Sequence, residues 1–267
     1  MKVRHLNTAS MVELQPVDDP SLPAARAVAH TLLVETESSG LVLVESGLGT
    51  ADIAHPGERL GDEWVAVAGP VLDPAETALH QVRALGYAAE DVRHIVLTHL
   101  DRDHAGGLSD FPHALVHVHE AEHREAMAAT APRYRKAQLA HGPRWATYAS
   151  AQGEGWFGFD AVRALEGLPE EILMVPLGGH TAGHVAVAVH NGSKWLFHAG
   201  DAYFYHGEVD PDRPRSHPLL DMVQVGGEVD RQLRLGNHAR MRELVRLHGD
   251  EVDVISAHDP WEFARHS

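Results

Sequence analysis

Short apolar runs bounded by turn residues recur along the chain and predict β-strands. The first two runs cover 28–36 and 41–47, and a Ser-Ser-Gly turn at 38–40 joins them. The Asn191-Gly192 pair is a strong hairpin signal between two later runs. The remaining predicted strands are 94–97, 172–175, 185–189, 194–197 and 252–255.

Helical patterns lie between these strands. Asp73 and Pro74 open one helix as an N-cap and a first-turn proline, and Gly86 ends it. Its predicted buried face consists of Leu79, Val82 and Leu85. A final helix is predicted over about 227–248, with its arginines on a solvated face. Strands that alternate with helices indicate an α/β fold.

The loop after the run 94–97 carries the most distinctive chemistry of the chain. It contains His99, Asp101, Asp103 and His104 before two glycines. These side chains offer the nitrogen and oxygen donors that suit Zn, Fe, Mn or Co. A polar turn that merely caps a strand would explain the aspartates and glycines, but it has no need of two histidines. We therefore interpret the loop as a metal-binding segment.

Three later stretches repeat this arrangement next to predicted strands. They are Gly-Gly-His-Thr-Ala-Gly-His at 178–184, an apolar run that ends in Gly200-Asp201, and a last run that ends in Ala257-His258. Ligands commonly lie beyond the carboxyl ends of strands in α/β folds. Because both halves of the chain supply such residues, we predict an αββα sandwich of two mixed sheets flanked by helices, in a single domain over 1–267.

The order and spacing of these motifs resemble the metallo-β-lactamase superfamily. Its pattern is HxHxDH, then GHTxGH, then a strand that ends in Asp and a last strand that ends in His. The resemblance implies two metal sites that share one carboxylate, with His184 outside the ligand set. The implied ligands are His99, Asp101 and His180 for one metal, Asp103, His104 and His258 for the other, and Asp201 as the bridge.

Two positions depart from the superfamily pattern. Asp101 stands where the family usually has histidine, and Glu45 stands where relatives have an aspartate that supports the metal loop. With Asp101 ionised, three carboxylates and a bridging hydroxide balance two divalent cations, which predicts a weaker Lewis acid. We expect two divalent ions, Zn first, with Fe or Mn more favoured than in the parent pattern. The alternative is that Asp101 points away and only one metal binds tightly.

Composition narrows the range of partners and ligands. The chain has 22 basic and 38 acidic residues, a formal net charge of −16, which disfavours nucleic acid as a partner. Cysteine is absent, so metal sites must be built from histidine and carboxylates. The start of the chain lacks a signal-peptide pattern, and no run of 18 apolar residues occurs, which predicts a cytoplasmic protein without membrane contact.

A segment at about 120–167 interrupts the alternation of strands and helices. It begins with a charged helical stretch and continues with an aromatic- and glycine-rich stretch. We interpret it as a helical and aromatic insertion that either packs as a satellite core or forms a lid or the surface of a homodimer.

Tyrosines follow the predicted bridging aspartate. In the lactonases of the superfamily, a tyrosine shortly after that aspartate hydrogen-bonds the carbonyl of the substrate, and Tyr203 or Tyr205 is predicted to do likewise. The alternative is that both rings pack beneath the insertion.

The resemblance implies a dinuclear metallohydrolase acting on a small-molecule ester, lactone or thioester. A hydroxide that bridges the metals would attack the substrate carbonyl, and Asp103 would orient it and pass its proton to the leaving group. Within the superfamily, glutathione thioesters normally meet basic residues near the C-terminus, and they are disfavoured here because the tail after His258 contains only Arg265. Two alternatives remain open: a non-haem iron redox enzyme, suggested by Asp101, and a non-catalytic binding protein of the same fold.

Overall fold

The strands of the described chain form two mixed sheets. The computed structural model describes residues 1–17, 19–128, 133–149, 155–159 and 163–267, with the side chains of 163 and 164 left out. The strands are β1 Lys2–Leu14, β2 Ala25–Glu35, β3 Leu41–Val44, β4 Val92–Val96, β5 Leu115–His119, β6 Arg144–Tyr148, β7 Arg163–Ala164, β8 Ile172–Pro176, β9 Val185–His190, β10 Trp195–His198 and β11 Val252–Ile255.

The first sheet has the order β1-β2-β3-β4-β5-β6. In it, β2 runs antiparallel to both of its neighbours, β1 and β3, whereas β3, β4, β5 and β6 run parallel to one another. The second sheet has the order β11-β10-β9-β8-β7, in which only β10 and β11 are parallel.

Helices cover the outer faces of both sheets. The α-helices are α1 Thr50–Ala54, α2 Pro56–Arg59, α3 Asp62–Ala68, α4 Ala78–Ala84, α5 Arg102–Ala105, α6 Glu120–Met127, α7 Lys136–Leu139, α8 Pro218–Gly227, α9 Arg231–His248 and α10 Pro260–His266. None of the helices in the described ranges combines the length and the apolar character that crossing a bilayer requires.

Apolar side chains fill three layers. Between the sheets, Leu32 and Val44 of the first sheet pack in one cluster with Val187 and Ile255 of the second. Outside the first sheet, α4 contributes Leu79 and Val82 to another cluster. Outside the second sheet, α9 contributes Met241 and Leu244. This arrangement confirms the predicted αββα sandwich.

The helix predicted over 73–86 is two elements. Pro74–Glu76 forms a 3-10 turn, and Thr77 is extended and caps α4 by accepting a hydrogen bond from the backbone of His80. A threonine between two short helical segments offers its hydroxyl to the orphan backbone N–H groups of the second helix. Leu79 and Val82 are buried as predicted, whereas Leu85 is 37% exposed because the helix ends before it.

The region at 120–167 is partly regular structure. It contains α6, α7 and β6, and β6 extends the first sheet as its parallel edge strand beside β5. Part of the predicted insertion is therefore built into the sheet. Residues 129–132, 150–154 and 160–162 of this region lie outside the described residues.

Candidate metal centre

The predicted metal ligands follow four strand ends at one edge of the sandwich. His99 and Asp101 come after β4, and the short helix α5 that follows carries Asp103 and His104. The second sheet supplies the other three, His180 after β8, Asp201 after β10 and His258 after β11. The fold thus brings together all seven residues that the sequence singled out.

Asp201 lies at the centre of this cluster. One carboxylate oxygen, Oδ1, lies 3.2 Å from Nε2 of both His104 and His258. The other, Oδ2, lies 3.4 Å from Nε2 of His180 and 3.7 Å from Nε2 of His99. Oδ2 also lies 3.2 Å from Nε2 of His258, so the carboxylate stands between imidazoles of both donor groups, as a bridging carboxylate would.

The first group of donors has the spacing of a tetrahedral site. Oδ2 of Asp101 lies 3.4 Å from Nε2 of His99 and 3.1 Å from Nε2 of His180. Together with the distances to Asp201, these separations cluster around the value of about 3.3 Å expected between ligands of a tetrahedral ion with bonds of roughly 2.0–2.1 Å.

The second group is formed by Asp103, His104 and His258, again against Asp201. Oδ2 of Asp103 lies 3.7 Å from Nε2 of His258. His104 and His258 are buried, whereas Asp103 is partly exposed. Of the ligand candidates in this group, Asp103 therefore stands closest to solvent.

Hydrogen bonds to the far sides of the rings set the histidine tautomers. Nδ1 of His258 donates to the carbonyl oxygen of Val28 at 2.8 Å, and Nδ1 of His104 donates to Oε2 of Glu45 at 3.1 Å. A carbonyl or carboxylate oxygen can only accept, so Nε2 of each neutral ring carries the lone pair.

These lone pairs point at one another across the cluster. Nε2 of His99, Nε2 of His104 and Oδ1 of Asp201 are buried and have no hydrogen-bond partner among the described residues. Several acceptors packed this closely need positive charge among them. The donor set, which consists of imidazole nitrogens and carboxylate oxygens, fits divalent cations.

Glu45 supports the metal loop despite its extra methylene group. Besides its bond to His104, it accepts a hydrogen bond from the backbone N–H of Thr98 at 2.8 Å through Oε1. Its backbone has φ of 70°, the left-handed region that non-glycine residues rarely adopt. The strained backbone and the two bonds fix the longer side chain in the supporting role that relatives give to aspartate.

His184 holds Asp201 from behind, outside the ligand set, as the resemblance implies. Burial, together with the nearby His99 and His180, holds the pKa of His184 well below its usual range, so the ring is neutral. Its Nε2 accepts the backbone N–H of Asp201 at 3.1 Å. Gly200 allows this approach, because a Cβ there would lie 2.8 Å from Nε2 of His184.

Asp101 turns towards the cluster and forms an ion pair with Arg133. Nε of Arg133 donates to Oδ1 at 2.6 Å, and Nη2 donates to Oδ2 at 2.5 Å. Although burial alone would raise the pKa of Asp101, hydrogen bonds from His180 and His99 and the charge of Arg133 hold it well below its usual range. Arg133 therefore offsets the negative charge that Asp101 brings to the cluster, which the sequence alone did not reveal.

Glu122 joins the loop after β4 to the loop after β8, and no sequence motif singled it out. It is buried on α6, and its carboxylate accepts the backbone N–H of Leu100 at 2.9 Å and the hydroxyl of Thr181 at 2.6 Å. Gly183 makes room for this contact, because a Cβ at that position would lie 2.1 Å from the backbone nitrogen of Glu122. The only signal in the sequence is an acidic residue at a helical position that faces the core.

The structure does not bring Tyr203 and Tyr205 to the cluster. The hydroxyl of Tyr203 donates to Glu262 at 3.0 Å, and Tyr205 packs against His217 and Trp261, with both rings fully buried. This placement argues against the predicted contact of either tyrosine with substrate. The ring between them does face the cluster, since Phe204 lies 5.0 Å from the ring of His258 and 6.0 Å from that of His180.

A pocket of about 540 Å³ opens above the donors. Its floor carries polar groups, including Asp101, Asp103 and Arg133. Its walls are apolar and come mainly from β1, α3 and α8, with one residue each from β2 and from the loop after β10. The apolar wall residues are Met11, Val12, Ala27, Trp64, Val67, Ala68, Phe204, Leu219, Leu220, Met222 and Val223.

Comparison with known proteins agrees with this geometry. The family model described as the metallo-beta-lactamase superfamily matches residues 26–246. The chain belongs to the metallo-β-lactamase superfamily. It is 40% identical over 263 residues, or 97% of this chain and 81% of the relative, to proteins named "Probable metallo-hydrolase" in Mycobacterium bovis and Mycobacterium tuberculosis. This member of the superfamily is a metal-dependent hydrolase.

Lactonases are also among the similar proteins. Over 57 residues, 21% of this chain and 22% of the relative, the hydrolase is 42% identical to an N-acyl homoserine lactonase of Rhizobium johnstonii. A solved N-acyl homoserine lactone hydrolase, with the product N-hexanoyl-L-homoserine at its catalytic metal centre, matches with a TM-score of 0.71 and 18% identity, covering 98% of this chain and 95% of that one. A solved dizinc quorum-quenching lactonase matches with a TM-score of 0.58 and 18% identity, covering 89% and 74%. At such identity, the structural likeness shows the fold alone.

Proposed function

We propose that this hydrolase uses two divalent cations to cleave a small ester or lactone that carries an apolar group. One observation carries the proposal: the two donor groups share Asp201 at the floor of a pocket whose walls are almost entirely apolar. The polar floor supplies the chemistry, and the apolar walls select what reaches it.

The ligand assignment follows the two donor groups. His99, Asp101 and His180 would hold one cation, and Asp103, His104 and His258 the other, with Asp201 between them. When bound, the two cations would activate water and polarise the carbonyl oxygen of the substrate. The shell around these ligands orients the rings and keeps their lone pairs inward.

Asp103 is the residue best placed to handle the proton. It is the partly exposed ligand candidate of the second group, and it lines the pocket that substrate would enter. A carboxylate there can accept a proton from the attacking water and return it to the leaving oxygen. Tyr203 and Tyr205 have no part in this proposal.

The walls favour an apolar substituent on the substrate. Phe204 lies next to the donors, and the side chains of α3 and α8 continue the apolar surface outwards to the mouth of the pocket. Each methylene group buried there would contribute about 0.8 kcal/mol to binding. The lactonases among the similar proteins, one with a bound N-hexanoyl product, support an acylated substrate.

Zn²⁺ is the first candidate for both positions. The donors are imidazole and carboxylate, and the ion pair of Asp101 with Arg133 removes the charge argument that favoured iron or manganese. The dizinc lactonase among the similar structures supports the same choice.

The test combines metal analysis with a substrate series. Protein stripped by a chelator would be reloaded with Zn²⁺, Mn²⁺ or Fe²⁺, and its metal content and hydrolysis of p-nitrophenyl esters and γ-lactones of increasing chain length would be measured. We expect two ions per chain and kcat/KM that rises with chain length. Asp103→Asn should abolish hydrolysis while Tyr203→Phe retains it. Fewer than two ions per chain, or no hydrolysis under any loading, would refute the proposal.

A further inference from the structure

Arg133 contacts two of the three donors of the first group, Asp101 and His180. Besides its two bonds to Asp101, its Nη2 lies 2.6 Å from Nε2 of His180. We propose that Arg133 is a positioning residue that lets a carboxylate serve where the superfamily has histidine, so that the ion pair presents to a cation the net charge of one neutral imidazole. This inference deepens the proposed function and rests on its assignment of Asp101 as a ligand.

The charge count follows from the pairing. Asp101 carries one negative charge and Arg133 one positive charge, and their side chains are only 18% and 23% exposed. At such burial, solvent screens the pair little, so an unpaired member would be costly. The pair is neutral, as an unprotonated histidine is. The side chains around the two cations then carry the same total charge as they would with a neutral histidine at position 101.

The geometry holds the carboxylate in a single orientation. Arginine's planar fork engages both oxygens of Asp101, which a lysine cannot do. Oδ2 is left within 3.1 Å of His180 and 3.4 Å of His99, on the side where the other donors converge. Arg133 therefore sets the direction in which the shorter ligand points.

The same guanidinium fixes the tautomer of His180 and the position of α8. A guanidinium cannot accept a hydrogen bond, so Nε2 of His180 carries a lone pair, which accepts from Nη2 in this structure and would exchange that donor for the cation. Nη1 donates to the carbonyl oxygen of Gly227 at 2.5 Å, the last residue of the helix that forms one pocket wall. One arginine thus connects a proposed ligand pair to the substrate wall.

A double-mutant cycle tests the proposal through metal binding, without reference to activity. Cobalt would be titrated into chelator-stripped wild type, Asp101→His, Arg133→Met and the double variant, with the visible Co²⁺ spectrum and calorimetry as readouts. Asp101→His alone leaves a partly buried guanidinium unpaired beside the cation, so binding at the first position should weaken about tenfold or more. Adding Arg133→Met should restore it, with a spectrum of two occupied positions.

A matched control separates charge from size. The variant Asp101→His combined with Arg133→Lys keeps the cation on a side chain about as long as methionine, so it should stay as weak as Asp101→His alone. In the wild-type background, Arg133→Met leaves Asp101 without its ion-pair partner and should give no comparable increase in metal affinity. Such coupling between contacting residues is what a double-mutant cycle isolates.

The outcomes separate this proposal from the function on which it rests. Equal effects of Arg133→Met in both backgrounds, or rescue by Arg133→Lys, would overturn the role of Arg133 while two ions still bind to the wild type. Wild-type protein that binds no cobalt would overturn the two-metal assignment itself. Circular dichroism spectra that match the wild type would show that each variant is folded.

Discussion

Glu45 and His104 are joined by a hydrogen bond of 3.1 Å from Nδ1 of the ring to Oε2 of the carboxylate. Oε1 of Glu45 accepts the N–H of Thr98. Glu45→Gln keeps the shape but can accept only one of these two bonds. We expect a 10- to 100-fold loss of metal affinity, about the effect of removing an outer-shell partner. Calorimetric titration with Zn²⁺ measures it.

Glu35, a half-buried salt-bridge residue far from the donors, offers a control for the same substitution. It pairs with Lys2 and Arg4 at the edge of the first sheet. Glu35→Gln should leave Zn²⁺ affinity unchanged. An equal affinity in Glu45→Gln and wild type would show that His104 needs no orienting partner.

Glu122 should contribute to stability as well as to the site. Its two bonds join Leu100 and Thr181, so Glu122→Gln would leave one buried donor without an acceptor. The expected cost is about 1–3 kcal/mol in the free energy of unfolding, measured by urea titration with a chelator present. Glu120→Gln, on the exposed side of the same helix, should cost almost nothing.

The pocket mouth should decide chain-length preference. Met222 lines the pocket and is 66% exposed, so Met222→Glu should fold normally while placing a charge on the apolar wall. We expect KM for p-nitrophenyl octanoate to rise about tenfold, whereas KM for the acetate stays within about twofold. Met127→Glu, at an exposed methionine outside the pocket, controls for the added charge. Equal changes in KM for both esters would show that the acyl chain does not bind at the wall that contains Met222.

Glu208 gives the fold a pH dependence that is independent of the metal centre. Burial raises its pKa from 4.5 to about 7. Between those two values the folded state holds a proton that the unfolded state has lost, so this group's contribution to stability falls as pH rises from about 4.5 to about 7. The free energy of unfolding of Glu208→Gln, relative to that of the wild type, should therefore increase as pH rises from about 4.5 to about 7 and stay constant above that range.

Urea unfolding of chelator-stripped protein at pH 5, 6, 7 and 8 would check this expectation. Glu243→Gln, on the exposed face of α9, controls for the loss of one carboxylate. A stability difference between Glu208→Gln and wild type that does not change with pH would contradict the raised pKa.

The sequence predicted the fold and the ligand cluster because both follow from local patterns. Strand runs are readable from apolar residues, and each ligand candidate lies within a few residues of a run, as His99 and His258 do. Arg133 and Glu122 could not be predicted in the same way. Their partners lie 32 and 22 residues away, and a lone charged residue carries no sign of its partner.

The two tyrosines after Asp201 are placed by packing that their position in the sequence does not reveal. Tyr203 packs in the apolar cluster outside the second sheet and donates its hydroxyl to Glu262, whereas Tyr205 packs in another cluster with Phe204 and Trp261. Because these partners lie far apart in the chain, the spacing of the tyrosines after Asp201 gives no sign that both rings are used in the core.

The seven donors are divided between the halves of the sandwich, four on the loops of the first sheet and three on those of the second. Cations held by both sets of donors would cross-link two layers that also meet through apolar side chains and through hydrogen bonds, such as that from the backbone N–H of Val185 to the carbonyl oxygen of Thr98. The free energy of metal binding would then also stabilise the packing of one layer against the other. Removal of the metal should therefore weaken the contact between the two layers.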